Sequence, residues 1–254
     1  MIGYGTRTLF VKEVRRFMRV PGQTVLSPVV TTVLYLAVFG FALGGRLKDV
    51  GGVPYFDFIV PGLVAMGILS NSFLNSASSL MMMKMQGTLV DLLVTPLSHA
   101  QVTLAVVAAA ASRGLIVGVL TWLAAILLQG TVHVAHPFQA IAVSVLTSIG
   151  LGALGLFAGI WAEKFEQINF IPIFVIAPLT FLGGVFYDVR ALPGALSLLS
   201  HLNPVLYLVE GMRHALNGNS AVHPGLALFF LLMLDVVSVS LCILVLRRGW
   251  KLRV

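Results

Sequence analysis

Six apolar segments, each long enough to cross a lipid bilayer, fill most of this 254-residue chain. A helix rises about 1.5 Å per residue, so about 20 apolar residues span a hydrocarbon core about 30 Å thick. Charged residues make up 10% of the chain and hydrophobic residues 58%, an excess that a water-soluble core does not explain. The sequence therefore predicts an all-α membrane protein with six transmembrane helices, approximately at Val25–Leu43, Phe58–Leu80, Val102–Leu128, Phe138–Trp161, Phe170–Tyr187 and Gly225–Leu246.

The segments are spread along the whole chain, so no polar stretch is long enough for a second globular domain. We expect a single membrane domain over residues 1–254. The formal net charge of +7 does not indicate nucleic-acid binding, because the basic residues lie next to the predicted helices rather than in a soluble domain. The single Cys242 allows no disulfide within the chain.

Basic residues alternate between the two sides of the predicted helices. One side has four: Arg46, Lys48, Arg190 and Arg213. The other side has eleven, namely Arg7, Lys12, Arg15, Arg16, Arg19, Lys84, Lys164, Arg247, Arg248, Lys251 and Arg253. Because positively charged loops remain on the cytoplasmic side of a membrane, this bias predicts that both termini are cytoplasmic.

The N-terminal segment, residues 1–24, has the pattern of a helix that lies in the membrane interface. Its apolar residues Phe10, Val14, Phe17 and Met18 recur at helical spacing, and cations occupy much of the remaining surface. The segment lacks the continuous apolar core of a cleavable signal peptide. An ordinary basic flank that only sets the topology is the alternative interpretation. Pro21-Gly22 is expected to end the helix before the first span.

Polar and charged residues inside the spans are the candidates for function. Asn71, Asn75 and Ser78 share one face of span two, and an amide that faced lipid would be unsatisfied. This face therefore bonds to another helix or lines a translocation path. Arg113 in span three and Asp235 in span six could pair, or Arg113 could lie near a span end and reach the interface.

Two loops contain more apolar residues than an exposed connection needs. In residues 81–101, a short helix presents Leu89, Leu92 and Leu93 on one face, and Thr95-Pro96 ends it. We expect this face to dock onto a partner or onto the protein's own cytoplasmic surface.

The loop at residues 188–224 predicts two short helices, Ala191–Leu202 and Val205–Leu216, separated by Asn203-Pro204. Both are too short to cross the bilayer, which is typical of re-entrant or interfacial segments. The six histidines are scattered. His133 and His136 share one loop but have no further ligand nearby, so we expect no metal site.

Four stretches, in order and at the expected spacing, resemble the membrane subunits of ABC-2 type exporters. They are Phe58–Leu63 (FIVPGL), Gly87–Ser98 (GTLVDLLVTPLS), Phe181–Tyr187 (FLGGVFY) and Asn203–Arg213 (NPVLYLVEGMR). The similarity covers essentially the whole chain and is greatest to small bacterial permeases made separately from their ATPase. One departure is Gln86, where the family usually has a charged residue before its Gly-Thr.

The resemblance implies a homodimer of this chain in the bacterial inner membrane, bound to two ABC ATPase subunits, with substrate moving along the dimer interface. It places ATPase coupling at Gly87, Leu89, Leu92, Leu93, Thr95 and Pro96, and an outer motif at Asn203, Pro204, Tyr207 and Glu210. ATP and Mg²⁺ would be bound by the ATPase and no cofactor by this chain. Export of an amphipathic, lipid-like, drug or glycan substrate is the expected function.

The residues themselves agree with a chain that does no catalysis. No Gly-Lys pair occurs, so the phosphate-binding loop G-x-x-x-x-G-K-[ST] is absent from the sequence. An ion-coupled secondary transporter is the alternative, but it would need titratable groups inside the membrane, and Arg113 does not titrate usefully. An intramembrane enzyme would need an acid–base set, and neither HExxH nor G-x-S-x-G occurs.

Overall fold

The computed structural model describes residues 2–43, 49–50, 52–130 and 134–251. Within this part of the chain it confirms an all-α membrane protein with six helices long and apolar enough to span a bilayer. These spans are Gly22–Gly40, Tyr55–Met85, His99–Gln129, Pro137–Trp161, Phe165–Leu182 and Pro224–Arg248. Four residues used in the sequence predictions lie outside the described residues: Arg46, Lys48, His133 and Arg253.

The α-helices are α1 (Ile2–Met18), α2 (Ser27–Tyr35), α3 (Tyr55–Met85), α4 (Leu89–Leu93), α5 (His99–Gln129), α6 (Pro137–Trp161), α7 (Phe165–Ile171), α8 (Ala177–Leu182), α9 (Gly194–His201), α10 (Pro204–Asn217) and α11 (Pro224–Arg248). Span one is α2 with its flanking π-helical turns, and span five joins α7 and α8 through another. A two-residue pair of strands, β1 (Asp49–Val50) and β2 (Val53–Pro54), precedes α3.

Spans two, three and four form the centre of the bundle. In span two, 78% of the residues in its apolar 18-residue stretch are buried, against 17% in span five. Glycines let the central helices approach closely. A Cβ on Gly155 of α6 would lie 2.2 Å from the carbonyl oxygen of Phe73 in α3, and one on Gly159 would lie 2.9 Å from that of Ala77. Helices in a bilayer gain no hydrophobic driving force from packing together, so they associate through the close van der Waals contacts that small residues permit.

Two prolines leave a helix carbonyl without its backbone hydrogen bond, and a side chain donates to each of these carbonyls instead. Pro28 in α2 and Pro61 in α3 have no N–H to donate to the carbonyl four residues earlier. The carbonyl of Thr24 accepts instead from the Arg113 guanidinium at 3.0 Å. The carbonyl of Asp57 accepts from the side-chain amide of Asn217 at 2.9 Å. Each helix irregularity thus becomes an attachment point for another part of the chain.

Span five begins and ends earlier than the predicted Phe170–Tyr187. Phe165 already starts α7, and α8 ends at Leu182 because Gly183-Gly184 turns the chain. Gly184 has a φ of 76°, and a Cβ there would lie 2.5 Å from the Val189 side chain. The span is therefore shifted toward the N-terminus, and the segment after Gly184 belongs to the end of the bundle that holds α9 and α10.

Candidate coupling and translocation sites

The N-terminal helix α1 docks against its own bundle along a line that includes a carboxylate. Leu9, Glu13 and Phe17, spaced four residues apart, are its buried side chains, and Glu13 is 1% exposed. The predicted apolar face included Met18, which is exposed, and omitted Glu13. The helix packs on span three and is hydrogen-bonded to span two, so its buried face meets protein. Whether its outer face lies in the membrane interface stays a prediction.

A polar cluster joins α1 to span two, and we call it the seam: Glu13, Arg16, Asn75 and Ser79. The Glu13 carboxylate accepts from the Ser79 hydroxyl at 2.5 Å and from Arg16 Nε at 3.0 Å. Arg16 Nη2 also donates to the backbone and side-chain oxygens of Asn75. A buried carboxylate is stable only when charge and hydrogen bonds compensate it, and the seam supplies both.

A second arginine bonds to the same face of span two, one helical turn away at Asn71. Arg113 lies at the middle of α5 and is buried, so it does not reach an interface near a span end. It donates to the Asn71 side-chain oxygen at 3.1 Å and to the carbonyl of Thr24 near the start of span one. It does not pair with Asp235. The carboxylate of Asp235 lies against Gly150 of α6, and its Oδ1 has no hydrogen-bond partner among the described residues.

The three predicted path residues are placed as follows. Asn71 and Asn75 are buried within one subunit and accept from Arg113 and Arg16, respectively. Ser78 is half-buried and donates to the backbone carbonyl of Asn75. The bonds of Asn71 and Asn75 join α3 to another helix, whereas the bond of Ser78 stays within α3. A role of these residues in a translocation path stays a prediction. Sequence reasoning missed Glu13 and the contacts of Arg16, although Glu13 is the only acidic residue before Asp49 and interrupts an apolar line.

The predicted coupling residues form a compact turn-and-helix unit after span two. Gly87 has a φ of 70°, which a side chain would strain, and this turn starts α4. Leu89 is buried, and Leu92 packs partly on the same cluster with Leu9 of α1. Leu93 is 43% exposed. The Thr95 hydroxyl caps the Leu92 carbonyl at 2.7 Å, and Pro96 follows in an exposed bend.

The unit does not have a single docking face, because its leucines point two ways. Leu89 and Leu92 anchor it to the bundle, whereas Val90, Leu93 and Val94 remain exposed. A groove of about 590 Å³ separates the unit from α1, and Lys12 and Asp91 are among its polar lining. At the far end Leu97 packs over Gly5 of α1, 2.7 Å from where a Cβ would be. Apolar and charged groups thus share one exposed surface.

The outer motif is held by its own polar residues. The Asn203 side chain caps α10 by accepting from the Val205 N–H at 2.9 Å, and it donates to the Leu179 carbonyl of span five. Pro204 occupies the first helical position, where its missing N–H has no cost. The Tyr207 hydroxyl donates to the carbonyl of His201 at 2.9 Å, and its ring stacks on Phe230 of span six at 4.0 Å.

Glu210 and Arg213 form a buried ion pair within α10. Glu210 also accepts from the Ala221 N–H, and Arg213 donates to the Gly184 carbonyl at 2.7 Å while lying 3.9 Å over the Phe58 ring. These contacts fix α10 to span two, to the turn after span five and to the segment before span six. The contacts of Asn203, Tyr207 and Glu210 therefore tie α10 to the elements around it.

The histidines gather more closely than the sequence indicates. The rings of His136 and His214 stack at 4.8 Å, and Nδ1 of His214 lies 2.8 Å from the Gln139 side-chain oxygen. Burial lowers the pKa of His214, and the neighbouring His136 and His223 lower it further. Parallel stacked rings do not converge on a common point. Among the described residues no group of three potential ligands could hold a metal.

Comparison with known proteins decides the family. The sequence pattern of the ABC-2 type transporter family matches residues 4–217, from α1 through the end of α10. The chain belongs to the ABC-2 type transporter family. It is 38% identical over 249 residues to the inner membrane transport permease YadH of Escherichia coli strain K12, covering 97% of this chain and 96% of that protein.

More distant relatives have a different name. Nodulation protein J of Rhizobium meliloti strain 1021 is 28% identical over 226 residues, covering 89% of this chain and 86% of the relative. Nodulation protein J of Sinorhizobium fredii strain NGR234 is 28% identical over 223 residues, covering 86% and 85%. The chain is therefore the membrane permease of an ABC transporter and a multi-pass protein of the inner membrane.

Proposed function

We propose that this permease exports an amphipathic substrate with energy from a separate ABC ATPase. The observation that carries the proposal is the exposed surface formed by α1 and the segment of residues 81–101, at the same end of the bundle as the last turn of α11. The sequence lacks a phosphate-binding loop, so ATP and Mg²⁺ belong to the partner. Purification from its native membrane should recover a complex with an ABC ATPase that hydrolyses ATP. A functional permease that never associates with such an ATPase would refute the proposal.

We propose that the ATPase contacts Val90, Leu93 and Val94, with the charged rim of the groove beside α1. ATP-driven closure of the ATPase pair would then push on a unit that Leu89 and Leu92 anchor to the bundle. Because α1 is bonded through the seam to span two, the same push would reach Asn75 and Asn71. The permease would thereby shift between inward-facing and outward-facing states.

A second copy of this chain completes the proposed permease. Leu26, Val30, Leu34 and Val38 form an exposed line at four-residue spacing on span one, and span five is the least buried span. We assign the dimer interface to these two spans, and the translocation path to the space between the subunits. Asn71, Asn75 and Ser78 would act there by positioning span two. The apolar surfaces support an amphipathic or lipid-like cargo.

Leu93→Asp should abolish association with the ATPase while leaving the permease folded. The new carboxylate would lie in an apolar contact, and burying a charge there costs several kcal/mol, on the order of the contact itself. Co-purification and transport measured on the same sample test this. The matched control is His99→Asp, an exposed position in the same segment where a carboxylate meets the start of α5. Normal, coupled ATPase binding by Leu93→Asp would show that the contact lies elsewhere.

Cysteine labelling should place residues 1–24, 81–101 and the C-terminus in the cytoplasm and residues 188–224 outside. In a Cys242→Ser background, Leu93→Cys should react with an impermeant maleimide only after the cells are opened. Leu198→Cys, an exposed position on α9, should react in intact cells. The expectation follows from eleven basic residues on one side against four on the other. Labelling of position 93 in intact cells would reverse the proposed orientation.

A further inference from the structure

An apolar groove of about 520 Å³ runs between spans four, five and six, and we call it the lateral groove. Its floor includes Leu69 and Phe73 of span two, which are otherwise buried. Leu154, Val175 and Leu234 belong to its walls, and every lining side chain is apolar or aromatic. The volume lies within the range of about 300–1,000 Å³ that is typical of ligand pockets. The groove is therefore deeper than the surface between packed lipid-facing helices.

The lateral groove has a direction relative to the membrane. Trp161, the last residue of α6, stands at one end, and Pro204 at the start of α10 contributes near the other. The Trp161 end is the end of the bundle that holds α1 and the end of α11. A tryptophan at the limit of a span is typical of the level where lipid headgroups begin. An occupant that followed the groove would thus extend from headgroup level toward the bilayer centre.

The mouth of the groove at Trp161 is basic. Lys251 Nζ lies 5.9 Å from the centre of the Trp161 ring and 5.8 Å from that of Trp250. Lys251 also donates to the Glu163 carboxylate at 2.7 Å. Lys84 donates to the carbonyls of Ile160 and Ala162 at the end of the same helix.

One carboxylate does not balance this cluster. The hydrogen bond from Lys251 and its charge hold the pKa of Glu163 below its usual range, with Lys84 and Lys164 adding to the effect. Three lysines therefore lie near the ionised Glu163, and the exposed Glu166 of the same turn does not cancel them, so positive charge is in excess where the groove opens. Basic pockets between transmembrane helices at headgroup level are typical sites for anionic headgroups.

We propose that the lateral groove binds one acyl chain of an anionic phospholipid, with the lipid phosphate at Lys251 and Lys164. A second copy of this chain fits the groove less well, because its own basic end would meet these lysines without a counter-charge, whereas the exposed line on span one is apolar. A neutral lipid would make the same apolar contacts with the walls but would offer no negative charge to the lysines. Assignment to the cytoplasmic leaflet rests on the orientation proposed above, whereas binding itself does not.

Native mass spectrometry of the purified full chain in a non-ionic detergent tests the site. Titration with phosphatidylglycerol should show one lipid per subunit bound about tenfold more tightly than phosphatidylcholine of the same chain length, since each lysine favours the anionic headgroup. Lys251→Gln should remove this preference. Val175→Trp, which fills the groove from span five, should weaken binding of both lipids.

Two exposed positions serve as matched controls. Arg15→Gln removes a cation at the same end of the bundle, and Val236→Trp adds the same ring on a lipid-facing side of span six. Both should bind phosphatidylglycerol like the unchanged protein. Equal affinity for the two lipids, or equal loss in controls and test variants, would overturn the proposal. So would a Val175→Trp variant that loses dimerisation but keeps lipid binding, which would assign the groove to a second copy.

Discussion

Arg16→Gln is expected to lower the stability of the permease by on the order of 3 kcal/mol. The variant removes the guanidinium that pairs with Glu13 and bonds to both oxygens of Asn75. Glu13 would remain buried with the Ser79 hydroxyl as its remaining partner in the seam, and one of its oxygens already has no partner among the described residues. Removing one member of a buried pair is costly because the other charge is left uncompensated.

Thermal unfolding of the purified protein provides the measurement, and two variants make it specific. Arg15→Gln changes the exposed neighbour on α1 and should leave the melting temperature unchanged. The double variant Glu13→Gln/Arg16→Gln should be more stable than Arg16→Gln alone, because it contains no unpaired charge. If Arg16→Gln and Arg15→Gln have the same melting temperature, the seam does not hold α1 on the bundle. In the assembled transporter, the same Arg16→Gln variant should weaken coupling between hydrolysis and transport.

Gly155→Ala should separate two central helices and destabilise the bundle by about 1–3 kcal/mol or more. The added methyl would lie 2.2 Å from the Phe73 carbonyl oxygen and 2.9 Å from its Cα and carbonyl carbon. These are backbone atoms of α3, so no rotamer change can relieve the contact. Span two is the most buried span, and moving it disturbs packing on both sides.

The yield of monodisperse protein and its melting temperature report this effect. Gly3→Ala on α1 is the matched control, since a Cβ there meets nothing within 4 Å and alanine favours a helix. The control should be neutral or slightly stabilising, whereas Gly155→Leu should prevent folding. Equal behaviour of Gly155→Ala and Gly3→Ala would mean that α3 and α6 adjust without cost.

Hydropathy alone predicts the six spans to within a few residues at most ends, because the bilayer requires a minimum length of apolar helix. Span five is the exception, since its apolar composition continues past Leu182 and only the backbone turn at Gly184 ends it. The two short outer helices follow from Asn203-Pro204, where an N-cap and a proline mark a helix start. Hydropathy and helix-capping residues therefore predict those features that depend only on neighbouring residues in the sequence.

The seam and the second arginine site could not be predicted in the same way. Composition shows that Arg113 and Asn71 need partners, but not that they bond to one another 42 residues apart. The sequence did contain two unused signals. Glu13 interrupts the line from Leu9 to Phe17, and Pro28 releases the Thr24 carbonyl that Arg113 uses. Similarly, the apolar turn after span two indicates that this segment docks onto something. That Leu89 is buried and Leu93 exposed depends on packing against α1, which the sequence does not show.

The contacts of the N-terminal helix also impose an order on synthesis. The partner of Glu13, Ser79, is translated 66 residues later, and the partner of the Thr24 carbonyl, Arg113, is translated 89 residues later. Span one therefore enters the membrane before the groups that fix its start have been translated. Until span two has been inserted, Glu13 and Arg16 of α1 lack Ser79 and Asn75 and must remain where water or headgroups can reach them. The helix packs on span three, which is made later still. Docking of the first helix to be made is thus a late step in the assembly of this permease.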